Sequence, residues 1–150
     1  MAGFRCNGMD ELSISLDQLA QTPEETQYSM LEAGAAVLVG KWKETLSTMK
    51  RTGQLLESIK AKRKKGDAPI VSVAPQGKRK NAYTGKRRKH DGSSGGTYQG
   101  TNAEVAYVLE YGTPRMKATH WMETTNEEAS DEVVAAEAAV WDEFLKSLNL

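Results

Sequence analysis

Few residues in this chain could do chemistry, and they are scattered. The sequence contains one cysteine, Cys6, and two histidines, His90 and His120. His120 and Glu123 could share a helix face, but a bare pair of this kind is usually a surface contact, and no metal-ligand spacing joins the histidines to Cys6. The sequence also lacks a Gly-x-Ser-x-Gly elbow, a phosphate-binding glycine loop and a dinucleotide fingerprint. It therefore predicts a protein without catalytic, cofactor-binding or metal-binding residues.

Charge is the more informative chemistry, because it is unevenly placed. The 20 basic and 20 acidic residues give a net charge of zero. Residues 59–90, however, hold twelve basic residues and one acid, residues 1–58 hold five basic and eight acidic, and residues 91–150 hold three basic and eleven acidic. A cationic middle thus lies between two anionic ends. Such segregation bears on binding partners rather than on the fold.

The predicted binding segment is an insert at about residues 76–101, rich in glycine, serine and two basic clusters, with no core periodicity. This composition predicts a flexible loop or a long hairpin. Three interpretations remain open: a solvated hairpin, a segment that follows a phosphate backbone while Tyr83 stacks, or a segment that binds an acidic protein surface, including that of a neighbouring copy. The candidate DNA- or partner-binding residues are Lys78, Arg79, Lys80, Lys86, Arg87, Arg88 and Lys89.

Several elements must position this insert. Met9, Leu12, Leu16 and Leu19 have the spacing of a short helix. Thr22-Pro23-Glu24-Glu25 predicts a helix start with a Thr22 cap and a capping box completed by Glu25. An apolar stripe then runs along this second helix with steps of three and four, and Gly34 and Gly40 suggest close packing of another element. The stripe comprises Leu31, Ala35, Leu38, Trp42, Leu46 and Met49.

The middle of the chain predicts a shorter helix and a strand. The helix begins near Thr52, buries Leu55, Leu56 and Ile59, and continues through the basic run 60–65 to Gly66. The β-branched run Ile70–Val73 between two prolines predicts a strand. A returning strand at Thr97–Gln99 is expected to pair with it.

The last part of the chain predicts two further helices. In Ala106–Gly112, AYVLEYG, the neighbouring Val105, Val108 and Leu109 form a buried edge, Glu104, Tyr107 and Glu110 lie on the other sides, and Gly112 with Pro114 ends the helix. A long helix follows over residues 119–150. Its apolar strip, which includes Val133, Ala136, Val140 and Phe144, could be core or a subunit seam. The candidate interface residues are Trp121, Trp141 and Phe144.

Length and composition support one domain spanning residues 1–150. Of the residues, 39% are hydrophobic and the mean hydropathy is −0.58, which is hydrophilic for a globular chain. No run of 18 apolar residues is present and the amino terminus lacks an apolar signal segment, so we expect a cytosolic origin and no membrane partner. The expected fold class is α+β: a small antiparallel sheet with a long basic hairpin, packed against two longer helices including a C-terminal one.

Three motifs in order resemble a known family. TGQLLESI at Thr52–Ile59, AYVLEYGTP at Ala106–Pro114 and the pair Trp121-Met122 are similar in order and spacing to the tail-completion or head–tail joining proteins of long-tailed bacteriophages. The resemblance spans roughly residues 8–148, although the basic insert is longer than the family's usual hairpin. It implies a structural protein of the phage neck that forms a ring, most often a hexamer, around the DNA channel.

The implied partners are the head connector or head-closure protein, the tail-tube or terminator protein, and the DNA that passes through the ring. The implied location is the neck or tail of the virion, after assembly in the host cytoplasm. Two alternatives remain: a tail terminator ring protein, or a free protein that binds nucleic acid non-specifically, as the basic middle alone suggests. An enzyme acting through His120 or Cys6 has no supporting constellation.

Overall fold

The computed structural model describes residues 22–49, 53–79, 84–88 and 94–148, and the helix expected over residues 9–19 lies outside them. Within these ranges the chain forms four helices and four strands. Their order is α1 Glu24–Thr48, α2 Gly53–Ser58, β1 Ile59–Lys64, β2 Ile70–Pro75, β3 Thr84–Arg88, β4 Ser94–Gln99, α3 Asn102–Tyr111 and α4 Trp121–Ser147.

Helix α1 confirms the predicted apolar stripe, since Ala35, Trp42 and Leu46 are buried. The predicted capping box is wrong. Pro23 occupies the N-cap position with no side-chain hydrogen bond, and its carbonyl oxygen accepts bonds from the amides of residues 26 and 27. The Glu25 carboxylate instead binds the guanidinium of Arg63 at 2.8 Å, so a tertiary ion pair replaces the local cap.

The basic run after α2 is a strand. The prediction that the helix continues through residues 60–65 is therefore wrong. Helix α2 ends at Ser58, and β1 pairs with β2 as an antiparallel hairpin, with Ile59 opposite Pro75 and Lys64 opposite Ile70. Neighbouring lysines on a helix end would repel one another, whereas a strand sends successive side chains to opposite faces. Strand formation therefore separates Arg63 from the lysines on either side.

The insert contains the second hairpin. Strand β3 pairs with β4 in the antiparallel sense, with Thr84 opposite Gln99 and Lys86 opposite Thr97. This confirms the hairpin interpretation of the insert. The expected pairing of Thr97–Gln99 with the Ile70 strand is wrong, because β2 pairs with β1, its neighbour along the chain.

Helix α3 begins with a capping box. The Thr101 hydroxyl accepts a bond from the Glu104 amide at 3.2 Å, and the Glu104 carboxylate accepts one from the Thr101 amide at 2.8 Å. Glu110, expected on an outer side of this helix, is only 3% exposed. Helix α4 agrees with the long helix expected over residues 119–150. It begins after His120, whose φ of 50° is the left-handed conformation.

The core lies where α1, α2, α3 and the start of α4 meet. Trp42 and Trp121 pack edge to face with ring centroids 5.3 Å apart, and the Trp42 indole donates a 2.7 Å bond to the side-chain oxygen of Asn126. The buried core residues are Trp42, Leu46, Leu55, Ile59, Ala106 and Trp121. This arrangement confirms the α+β class, with a small antiparallel sheet packed against α1 and the C-terminal helix lying along α1.

The predicted close approach at the glycines of α1 holds at one of the two. An added Cβ at Gly34 would come within 2.5 Å of a Glu137 oxygen and 3.0 Å of Val133 Cγ1, so α1 and α4 cross closely there. At Gly40 nothing lies within 4 Å of the added Cβ. Among the described helices, none is long and apolar enough to cross a membrane.

Candidate interaction surfaces

The AYVLEYG motif builds a rigid joint between α3 and α4. Glu110 is buried, and its carboxylate accepts bonds from the amides of Met122 at 2.7 Å and Glu123 at 3.2 Å. A helix leaves its first amides unpaired and has a positive N-terminal dipole, so a carboxylate from another helix satisfies both needs. Glu110 therefore fixes where α4 begins relative to α3.

The segment between the two helices strengthens this joint. Leu109 accepts two bonds from Thr119 through its carbonyl oxygen, one from the amide at 2.9 Å and one from the hydroxyl at 2.7 Å. Gly112 has φ 75° and ψ −171°, a conformation that is essentially restricted to glycine. An added Cβ there would lie 2.6 Å from the Met116 oxygen and from the Ala118 nitrogen. The Glu and Gly of the motif thus have structural roles.

The same joint brings together Glu110, His120 and Glu123, each with a potential ligand atom within 4.8 Å of the others. The two oxygens of Glu110 already accept the α4 amides, and His120 Nδ1 lies 3.4 Å from a Glu123 oxygen. Both outer residues are exposed. The start of the helix accounts for this cluster without a metal ion.

Hydrogen bonds hold the two segments at the base of the insert together. The Arg79 amide donates to the Gly100 oxygen at 3.0 Å, and the Asn102 amide donates to the Gly77 oxygen at 3.1 Å. Asn102 is 4% exposed, and its side chain donates to the Gln76 oxygen at 2.7 Å. The two ends of the insert therefore leave the core side by side.

The structure places only part of the predicted basic site. Lys78 is exposed and forms a β-bridge with Thr101, at the base of the insert. Lys86, Arg87 and Arg88 lie on β3, with a register irregularity between Lys86 and Arg88. The last two predicted residues, Lys80 and Lys89, lie outside the described residues.

A second basic surface lies on β1, in the run that was predicted to end a helix. Ile59 is buried and Arg63 binds α1, so alternation turns Lys60, Lys62 and Lys64 away from α1. All three lysines are exposed and, within the described residues, none forms an ion pair. We call this side of the hairpin the outer sheet face. Lys60, Lys62 and Lys78 line a shallow depression together with one acidic residue, Glu57, so the face reaches the base of the insert.

The opposite side of β1 is neutralised by α1. Arg63 donates to both carboxylate oxygens of Glu25 and of Glu32 at 2.6 to 2.9 Å, and its guanidinium carbon lies 4.7 Å from the ring centre of Tyr28. These hydrogen bonds lower the pKa of both carboxyls and raise the pKa of Arg63. On β1, the positive charge without an ion pair to a described residue therefore lies on the outer sheet face.

Helix α4 presents the matching negative charge. Its inner side packs on α1, and the ion pair of Lys41 with Glu132, at 2.5 Å, marks one border and raises the pKa of Lys41. The exposed side beyond that border is acidic along its first half, with Val134 63% exposed at its centre. We call this side the acidic helix face. Its members include Glu127, Glu128, Asp131, Val134 and Asp142.

The predicted interface aromatics lie in different environments. Trp121 is 2% exposed and belongs to the core, so it does not reach a monomer surface. Trp141 and Phe144 are half-buried near the end of α4, with ring centroids 5.4 Å apart. Tyr107 and Tyr111 on α3, which were not among the predicted interface residues, have ring centroids 4.7 Å apart with tilted ring planes and are 62% and 61% exposed. Their spacing of four positions was the signal that could have identified them.

Comparison with protein families identifies the class of this chain. A family model described as "Bacteriophage HK97-gp10, putative tail-component" matches residues 10–112. Searches among curated proteins and among solved structures gave no match. The family match covers more than half of the chain and includes both TGQLLESI and AYVLEYG, and it ends at Gly112, before Trp121-Met122.

The protein is therefore a structural component of a phage virion. More specifically, the chain belongs to the HK97-gp10-like family of bacteriophage tail components. This confirms the resemblance drawn from the motifs. A tail component is a structural part of the particle, and it interacts with other virion proteins.

Proposed function

We propose that this protein completes the head-proximal end of the phage tail and joins it to the head connector, as a ring around the DNA channel. The main support is membership of a tail-component family over residues 10–112. The segregated charge is the second support: the outer sheet face and the insert are basic, whereas the exposed side of α4 is acidic. A ring requires two different surfaces that meet when copies are rotated about one axis.

In vitro joining tests this proposal directly. Heads and tails are prepared from the parent phage carrying a nonsense mutation in this gene, and purified protein is added back. We expect free heads and free tails of normal length without the protein, and joined infectious particles after its addition. Joined particles without added protein would overturn the proposal. Tails of uncontrolled length would instead identify a tail terminator.

We further propose that the basic insert contacts DNA or the adjoining ring. Its seven basic residues, Lys78 to Lys89 as given above, are replaced by Gln in one variant. The hydrogen bonds that hold the base of the insert are made by main-chain atoms and by Asn102, none of which is replaced, so we expect this variant to remain folded and to lose joining. A variant with normal titre would show that the insert charge is dispensable.

A control variant separates the charge of the insert from net charge. Three exposed or half-exposed lysines away from the insert, Lys43, Lys117 and Lys146, are replaced by Gln. If joining depends only on total positive charge, this control should also weaken it in proportion. If the insert acts locally, the control should join heads to tails at the parent level.

A further inference from the structure

We propose that the outer sheet face of one copy binds the acidic helix face of the next copy. This inference rests on the proposed ring and names the two surfaces that would close it. The partner is a second copy of this chain. A phosphate backbone is the alternative partner, and the experiment below distinguishes the two.

The charges of the outer sheet face are regularly spaced along one strand. Lys60, Lys62 and Lys64 occupy every second position of β1 and lie on the same side, so neighbouring lysines are about 7 Å apart. The β1–β2 register puts Ile70 opposite Lys64, and Ile70 is 49% exposed. Along the outer sheet face, Lys60 and Lys62 are therefore followed by Lys64, which lies beside the exposed Ile70.

The acidic helix face has the same order of chemistry. Glu127 and Asp131 are one helical turn apart, about 6 Å along the axis, and Val134 follows about 4 to 5 Å further on. Both carboxylates are exposed, and neither forms an ion pair with another described residue. The face therefore reads as two carboxylates followed by an exposed apolar side chain.

The two rows have the same order and comparable lengths, about 14 Å from Lys60 to Lys64 and about 10 Å from Glu127 to Val134, when β1 and α4 of different copies lie side by side in the same direction. Lys60 then meets Glu127, Lys62 meets Asp131, and Ile70 falls near Val134. The third contact favours protein over DNA, because Ile70 would meet no apolar group on a phosphate backbone, whereas Val134 offers one.

Both faces are turned away from α1, so the pairing joins different copies. Arg63 fixes the inner side of β1 to α1 through Glu25 and Glu32. The inner side of α4 packs on α1 at Gly34, and the Lys41–Glu132 pair lies at its border. The two faces are different surfaces of one chain, and such a heterologous contact repeats from copy to copy until it closes.

Carbodiimide coupling tests the contact, because it links a lysine to a carboxylate only where the two already touch. Equal amounts of ¹⁵N-labelled and unlabelled protein are mixed, coupled and analysed by mass spectrometry, both free in solution and bound to tails. Lys41–Glu132 is the internal control, and its linked peptides should carry one isotope only. We expect Lys60 and Lys62 to link to Glu127 or Asp131 in mixed-isotope form.

Charge reversal supplies the matched variants. Exposed ion pairs contribute little each, so replacing Lys60, Lys62 and Lys64 with Glu should weaken self-association about tenfold to a hundredfold. The same number of reversals at Lys43, Lys117 and Lys146 should not. Adding Glu127→Lys and Asp131→Lys to the sheet variant restores opposite charges and should recover association, a readout that a folding defect would not give.

The outcomes are distinct for the contact and for the proposed function. Absence of mixed-isotope links in both preparations overturns the inference. Binding to a DNA duplex is measured for the parent protein and for the variant with Glu at Lys60, Lys62 and Lys64. If this variant loses DNA binding but keeps its self-association, the partner is DNA and the inference is overturned. A closed oligomer without these links would leave the ring in place with other surfaces. Mixed-isotope links in a protein that fails to join heads to tails would keep the contact and overturn the proposed function.

Discussion

Replacing Gly112 with alanine tests the rigid joint most directly. Gly112 has a backbone conformation whose strain for other residues is about 1 to 3 kcal/mol. The added Cβ would also lie 2.6 Å from the Met116 oxygen and the Ala118 nitrogen. Both are backbone atoms, so no side-chain rotation relieves the clash, and overpacking adds about 1 to 3 kcal/mol.

Together these terms predict a loss of about 2 to 6 kcal/mol in the free energy of unfolding, a large share of the roughly 5 to 15 kcal/mol typical of a domain. The midpoint of thermal unfolding should fall on the order of 10 °C. Urea unfolding followed by tryptophan fluorescence measures the change, since Trp42 and Trp121 are buried in contact beside the joint.

Two other glycines are the controls. Gly77 has φ 77° but nothing within 4 Å of an added Cβ, so Gly77→Ala has the strain without the clash and should lose about 1 kcal/mol. Gly40 lies exposed within α1 with open space around it, so Gly40→Ala should stabilise by up to about 1 kcal/mol. If Gly112→Ala loses no more than Gly77→Ala, the steric reasoning is refuted.

Further changes test other parts of the structure. Glu110→Ala should lose about 1 to 3 kcal/mol in urea unfolding because the first α4 amides lose their buried acceptor, whereas Glu110→Gln, which keeps one oxygen, should lose less. Leu46→Ala, at a fully buried position, should lose about 2 to 5 kcal/mol. Arg63 lowers the pKa of Glu25 and Glu32 below 4.5, so their stabilisation is present above pH 4.5 and is lost as the pH falls through the lowered values; Arg63→Gln should flatten the acid side of a stability–pH curve. Tyr107→Ser combined with Tyr111→Ser should leave thermal unfolding nearly unchanged, because both side chains are exposed, and should lower joining activity; unchanged joining would exclude this pair as a contact with another virion protein.

The long-range helical pattern was readable from the sequence because burial repeats with the helical period. The stripe through Ala35, Trp42 and Leu46 and the long final helix were both predicted and are both present. The motif resemblance was readable for a different reason. Glu110 and Gly112 meet strict geometric demands in the structure, although the sequence does not reveal what they contact.

Local patterns failed where a tertiary contact decided the outcome. Thr22 and Glu25 have the spacing of a capping box, but Arg63, 38 residues away from Glu25, takes the carboxylate. The lysines of β1 follow a helical segment without a break, and only the hairpin with β2 and the anchoring of Arg63 make them a strand. The capping box that the structure contains, Thr101 with Glu104, has the Thr-x-x-Glu signature but was not predicted from the sequence.

The candidate surfaces were partly predictable. Charge segregation and the basic insert were visible in the composition, because they depend on residue type alone. The outer sheet face was not, since it depends on which side of β1 each lysine occupies. Trp121 was placed among interface candidates because a large aromatic near a helix start fits either role, and its contact with Trp42 decides for the core.

The fixed base of the insert has a consequence for engineering. Gly77 and Asn102 are joined by a 3.1 Å hydrogen bond, and Arg79 and Gly100 by one of 3.0 Å. The segments that enter and leave the insert are therefore hydrogen-bonded to each other at its base. Lengthening the connection between β3 and β4 leaves this base in place and alters mainly the loop-closure entropy, which grows by only about 0.6 kcal/mol for each doubling. The insert is thus a position where a tag or a foreign peptide can be accommodated while the helices and the β1–β2 sheet remain as they are.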